Sequence, residues 1–280
     1  MNIKKNKYFN PALTAGVISQ SKVFLICWIV AMIALVFIYI VSLKWAANMI
    51  NMADLQNMPD AVVQQILALK NAKTFDLYKI SFVDEDNLTL GLIFSAIVAM
   101  AALLKDESNN TTEFLFAHPI SRKKMYITQL ITFLSILLIF SAATTLASFL
   151  LLICFDKFKI GFDVGQFFAL HGGALLTNFI FGLLMYGIAS IKKGKKYLLV
   201  CIVTGIALHF CYAIVALLIS YLAGKFSWIE NVRYLFIYSI IDASGSVTLN
   251  WQSLVIWLVP AIVLNVVGYF RYQKKDLNCA

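Results

Sequence analysis

Residues Leu88 to Leu104 read LTLGLIFSAIVAMAALL, residues Lys105 to Tyr126 read KDESNNTTEFLFAHPISRKKMY, and the run from Ile127 to Cys154 again carries no charge. A helix needs about 20 apolar residues to cross a bilayer, so each flanking run is long enough to span one. The charged loop between them is thereby fixed at a membrane surface.

The same pattern extends along the chain. Of its 280 residues, 61% are hydrophobic and 13% charged, and uncharged stretches this long would give a soluble domain far too much apolar surface. The sequence predicts an all-α polytopic membrane protein with six spans, near residues 23–43, 88–104, 127–154, 166–190, 197–222 and 253–270. It reads as one domain, 1–280, whose non-spanning parts are residues 1–22, 44–87, 105–126 and 223–252 together with shorter connections.

An even number of spans puts both termini on one side, and the basic residues choose which. Residues 1–22, the loop 105–126, the loop after the fourth span and the tail hold fifteen Lys and Arg against four acids, a net +11. The other three loops hold eight against ten, a net −2, which completes the +9 of the chain. Because cytoplasmic loops collect Lys and Arg, both termini are expected in the cytoplasm of a multi-pass cell-membrane protein. The basic balance then reflects topology and contact with anionic lipid, not nucleic-acid binding.

The first apolar run follows 22 mostly polar residues and lacks an A-x-A site, so it is expected to remain as an anchor, not to be cleaved as a signal peptide. Cys27, Cys201 and Cys211 lie within spans, Cys154 at a span's outer end and Cys279 in the tail, which is no disulfide or metal framework.

Asn10 before Pro11 reads as an N-cap followed by proline at the first helical position. Residues 11–21 are then expected to form an N-terminal interfacial helix, amphipathic and lying on the inner membrane surface before the first span, the alternative being the lower end of that span. Between Lys44 and Asn87, the stretch MPDAVVQQILALKNAK places Val62, Ile66 and Leu69 at helical spacing, predicting a small external helical lobe. Residues 223–252 surround the apolar YLFIYSII with aromatic residues; short re-entrant or interfacial helices and an ordinary external helix both fit. Gly172, Gly173, Gly182 and Gly187 in the fourth span predict close helix packing.

None of the six span cores contains Asp, Glu, Lys or Arg, groups that are expensive in a membrane and usually functional there. His171 and His209 each lack the partner at helical spacing that a metal site needs, and read better as satisfied packing residues. Asn178 and Asn265 either bond between helices or, with His209, face a translocation path. No phosphate-binding G-x-x-x-x-G-K-[ST] loop occurs in the chain. A nucleotide-driven process would need another subunit to bind ATP.

In the loop, Asn110 can cap a helix while Glu113 reaches back toward the cap. Pro119 stops that helix, and Ser121 is a second candidate N-cap before Lys123 and Lys124 at the headgroup level. The product is a two-turn helix, Thr111 to His118, presenting Phe114 and Phe116 beside Glu113 and Arg122. It reads equally as a protein-binding knob or as a solvated linker whose phenylalanines dip into the membrane.

Together with the six-span plan, ESNNTTEFLFAHPISRKKMYITQL resembles the signature loop of type-2 ABC transporter permeases: an acid, a Gly-Thr, a Glu, a leucine-rich turn, then Leu-Pro-Ile-Ser-Arg. Glu107 matches the acid, Thr111 the Thr, Glu113 the Glu, and Pro119 to Arg122 the Pro-Ile-Ser-Arg. Asn110 replaces the Gly, and His118 stands where Leu is usual. The resemblance implies a permease half that pairs with a second permease, homo- or heterodimeric, and two cytoplasmic ATPase subunits that carry the ATP and Mg. It makes Glu107, Asn110, Thr111, Glu113, Phe114, Phe116, His118, Pro119 and Arg122 the ATPase-coupling residues, with no catalytic, cofactor or metal site in this chain. The expected cargo is amphipathic or hydrophobic: a peptide, lipid or drug. The rival readings are a non-catalytic sensor or assembly subunit and an intramembrane enzyme, the latter needing paired Glu, His or Asp that the spans do not supply.

Overall fold

The computed structural model describes residues 9–49, 63, 67, 71–83, 86–108, 121–157, 160–191, 197–222, 227–243 and 245–274. Among the described residues seven α-helices appear in chain order: α1 (Pro11–Met49), α2 (Thr74–Val83), α3 (Asp86–Ser108), α4 (Arg122–Phe155), α5 (Val164–Ile191), α6 (Tyr197–Leu222) and α7 (Trp251–Lys274). All but α2 are long and apolar enough to cross a membrane, and they coincide with the six expected spans.

At residues 11–21 the structure takes the second of the two readings. No break separates them from the first span: α1 is one helix of 39 residues, about 58 Å long at 1.5 Å per residue. That exceeds the roughly 30 Å hydrocarbon core, so α1 projects well beyond one membrane boundary. Its start is capped as the sequence predicts, with Asn10 Oδ1 accepting from the Leu13 amide at 3.4 Å. The same end is held to α4, where Thr128 accepts from the Asn10 amide at 3.2 Å and Thr132 donates to the Thr14 hydroxyl at 3.0 Å.

Helix α5 is central, packing on α7 and α3, while α3 also carries α6 and α1 lies along α4. Small residues permit this. A Cβ on Gly187 would meet Leu264 at 2.8 Å and its backbone at 2.9 Å, a Cβ on Gly182 would collide with the Phe133 ring, and one on Gly268 with Ser190. Gly173 faces Ile241 closely, whereas Gly172 has nothing within 4 Å. Of the four glycines expected at helix contacts, Gly182 and Gly187 are there, Gly173 packs instead against the residues of the short ladder between the fifth and sixth spans, and Gly172 makes no close contact. Outward-facing Val23 and Phe37 on α1, Val203 and Phe210 on α6, and Val259 and Val263 on α7 remain exposed, as faces turned to lipid or to a partner subunit would be.

Between α6 and α7 the chain forms two 3-10 segments, Ser227–Leu235 and Ile237–Ile240, then a minimal antiparallel ladder. In it β1 (Ile241–Asp242) pairs with β2 (Thr248–Leu249), Ile241 opposite Leu249 and Asp242 opposite Thr248. This two-residue ladder is an addition to the expected all-α plan. Ile237, Tyr238 and Ile240 are buried, so packing against the ends of α5 and α7 outweighs the weak 3-10 hydrogen-bond geometry. Of the expected external lobe the structure describes α2, while most of the helix expected over 59–73 lies outside the described residues.

The start of α2 is tied down by a polar chain. Lys44 Nζ donates to Thr74 Oγ1 at 2.9 Å, and Thr74 donates to Asp156 Oδ1 at 2.7 Å, joining the ends of α1, α2 and α4. Lys44 also sits 5.0 Å above the Phe155 ring.

Candidate functional site

The loop that decided the sequence reading emerges from α3 and returns as α4. Asn110, Thr111, Glu113, Phe114, Phe116, His118 and Pro119 lie outside the described residues. Glu107 falls in the last turn of α3. At the return, Ser121 caps α4 as expected: its backbone is extended and its side chain accepts from the Lys124 amide at 3.3 Å.

Directly after that cap the chain is wired to two other helices. Arg122, the first residue of α4, donates from Nη1 to the Gln273 carbonyl at 3.2 Å, placing a cation on the last turn of α7, where the helix dipole favours it. One turn further on, the buried Tyr126 shares its hydroxyl proton between the Asn265 carbonyl and Asn265 Oδ1, both at 3.2 Å. Its own carbonyl accepts from the Tyr186 hydroxyl at 2.7 Å. The rings of Tyr186, Tyr269 and Tyr272 surround it, with centroids 5.1, 5.5 and 5.7 Å away. A displacement of the first turn of α4 therefore meets α5 and α7 at once.

Of the two readings open for Asn265, the structure supports bonding between helices. Its Nδ2 donates to the Leu183 carbonyl of α5 at 2.7 Å and to Ala261 in its own helix at 2.8 Å. His209 accepts or donates at Nδ1 with the Thr89 hydroxyl, 3.0 Å away, and that hydroxyl lies 3.0 Å from the Tyr238 hydroxyl. Asn178 is buried against Gly91 of α3, with Oδ1 unpartnered. The three candidate path residues thus sit at separate helix contacts.

His171 is buried with both ring nitrogens engaged, Nε2 2.7 Å from the Tyr78 hydroxyl and Nδ1 3.0 Å from Thr145, and with Phe167 and Phe82 rings 4.5 and 4.8 Å away. His171 is thus a satisfied packing residue, while His209 is held at Nδ1. Among the described residues, no group of three His, Cys, Asp or Glu is placed to hold a metal ion.

Sequence reasoning passed over Tyr126, Tyr186, Tyr78 and Thr89. Their signal was present: a tyrosine within or beside a span brings a hydroxyl that needs a partner when buried. The identity of that partner, however, lies up to 149 residues away in the chain.

The fold and these contacts define a six-span helical membrane protein in which the capped start of the third span is bonded to two other helices. Residues 20–277 match the family described as ABC-2 family transporter protein, and the chain belongs to that family. It is thus a permease-type membrane component of an ABC transporter, a class that works with ATPase subunits at a membrane. No curated protein and no solved structure matches the chain.

Proposed function

We propose that this chain is the permease subunit of an ATP-driven exporter, forming the translocation path with a second permease half and receiving its power stroke at residues 105–126. The observation that carries the coupling is the double attachment just after the loop, Arg122 to Gln273 and Tyr126 to Asn265 and Tyr186. ATP and Mg reside on the partner, whose closure displaces the loop. Ser121 and Arg122 pass the displacement to α4, and Tyr126 shares it with α5 and α7. The absence of charged residues from the span cores supports a drive that needs no titrating group in the membrane. The excess of Lys and Arg on the loops expected on the side of the termini supports a cytoplasmic location for that side. Amphipathic or hydrophobic cargo, a peptide, lipid or drug, fits the uncharged, phenylalanine-rich membrane portion.

Purification of the tagged chain from its own membranes tests this. The expected result is a copurifying subunit with a phosphate-binding loop, retained in wild type and weakened by Glu113→Ala and more by Phe116→Ala, with membrane insertion unchanged. Recovery of the chain without any ATPase contradicts it.

A further inference from the structure

Between α4 and α5 lies a cavity of about 20 Å³ whose polar wall is Ser141, Thr144, His171 and Asn178, closed over by Met32 and Phe140 among others. Asn178 is only 7% exposed, and its Oδ1 has no hydrogen-bond partner. Buried amide oxygens are almost always satisfied, so this one points to something in the cavity. His171 offers nothing more, since Tyr78 and Thr145 occupy both of its nitrogens. Thr144 spends its proton on the Phe140 and Ser141 carbonyls, at 3.0 and 3.1 Å, which leaves its oxygen free to accept.

Size and chemistry then select the occupant. A water needs at least about 10–15 Å³ of such space and two to four polar partners, so the cavity admits one and not two. Calcium and magnesium take six or so oxygen ligands, as a rule with carboxylates among them, and the wall has no carboxylate; zinc takes His or Cys, and both nitrogens of the wall's one histidine are already engaged. We infer that the cavity is a binding site for a single water molecule, which donates to Asn178 Oδ1 and Thr144 Oγ1 and accepts from the Ser141 hydroxyl. Interchanging the oxygen and nitrogen of the Asn178 amide reverses the sense of one bond but keeps the same water-bridged arrangement. The site makes the α4–α5 contact solvent-bridged at this level, in contrast to the direct Asn265–Leu183 bond between α5 and α7. A bridged contact can be broken and remade as the helices shift.

A density map of the full chain in lipid nanodiscs, at a resolution that shows ordered water, tests the inference. One peak within hydrogen-bonding reach of both Asn178 and Thr144 is expected; an empty cavity, or Asn178 bonded directly to protein, overturns it. A second arm uses thermal unfolding of Asn178→Leu, Thr144→Val and the double variant. With the water already lost in Asn178→Leu, the double variant is expected to melt no lower than the worse single variant, whereas fully additive losses overturn the bridge.

Discussion

The hydroxyl of Tyr78, in the short helix α2, lies 2.7 Å from Nε2 of His171, inside the span α5. Both residues are buried, and the bond fastens an element too short to cross the membrane onto one that does. On the other flank, Tyr238 reaches His209 through the Thr89 hydroxyl. Each membrane histidine thus anchors the region at the end of the bundle opposite the termini.

Removing one partner of a buried pair costs more than removing both. Tyr78→Phe is expected to destabilise the protein by about 1–3 kcal/mol, and Tyr78→Phe combined with His171→Phe to recover part of that loss, read as midpoints of denaturant unfolding in detergent. Burial raises the Tyr78 phenol well above its usual range, opposed less strongly by a hydrogen bond to Ser148. Since the folded state then holds the proton more tightly than the unfolded one, this contribution is present below about pH 10 and declines as pH rises further.

The glycines of α5 divide into two kinds. Gly187→Val drives a side chain into Leu264 and is expected to cost about 1–3 kcal/mol, as overpacking does. Gly172→Ala meets open space, and is expected to be neutral or to stabilise by up to about 1 kcal/mol through helix propensity. Equal losses from both substitutions would show that the α5–α7 crossing is not as drawn here.

At the junction after the loop, Tyr126→Phe removes the hydroxyl that bonds Asn265 while keeping the ring. A loss of about 0.5–2 kcal/mol is expected, the range of single hydrogen bonds between membrane helices, too small to unfold the bundle. Because Tyr126 is placed in the transmission route, the same variant is expected to retain its ATPase partner while export per ATP hydrolysed falls. Unchanged export stoichiometry would leave Tyr126 a packing residue.

The proposed orientation rests on the distribution of Lys and Arg. In a cysteine-free background, Lys123→Cys and Lys193→Cys are expected to resist an impermeant thiol reagent in intact cells, and Asp60→Cys and Lys225→Cys to react. Labelling of the first pair from outside would invert the topology.

The spans were legible because each carries its own signal, a long apolar run, and the caps at Asn10 and Ser121 because capping is local. What the sequence does not contain is the rotation of each helix about its axis. Gly172 and Gly173 are neighbours, yet successive residues sit about 100° apart around a helix, and only Gly173 reaches Ile241. For the same reason Asn265 could be read as lining a path until Leu183 and Tyr126 were found on either side of it. The 3-10 segments and the Ile241–Leu249 ladder were illegible because their few residues are shaped by the helix ends they cover, not by a periodicity of their own.

The central claim is that this permease is driven by ATP hydrolysed on a partner subunit. Its most direct test is cargo flux in proteoliposomes holding the full complex, with the partner's phosphate-loop lysine intact or replaced and with an uncoupler added at constant ATP. Export is expected to vanish with the lysine and to keep nearly its full initial rate with the uncoupler. Flux driven by a pH gradient through this chain alone would contradict the account and make His209 and Asn178 the first residues to examine for a secondary carrier.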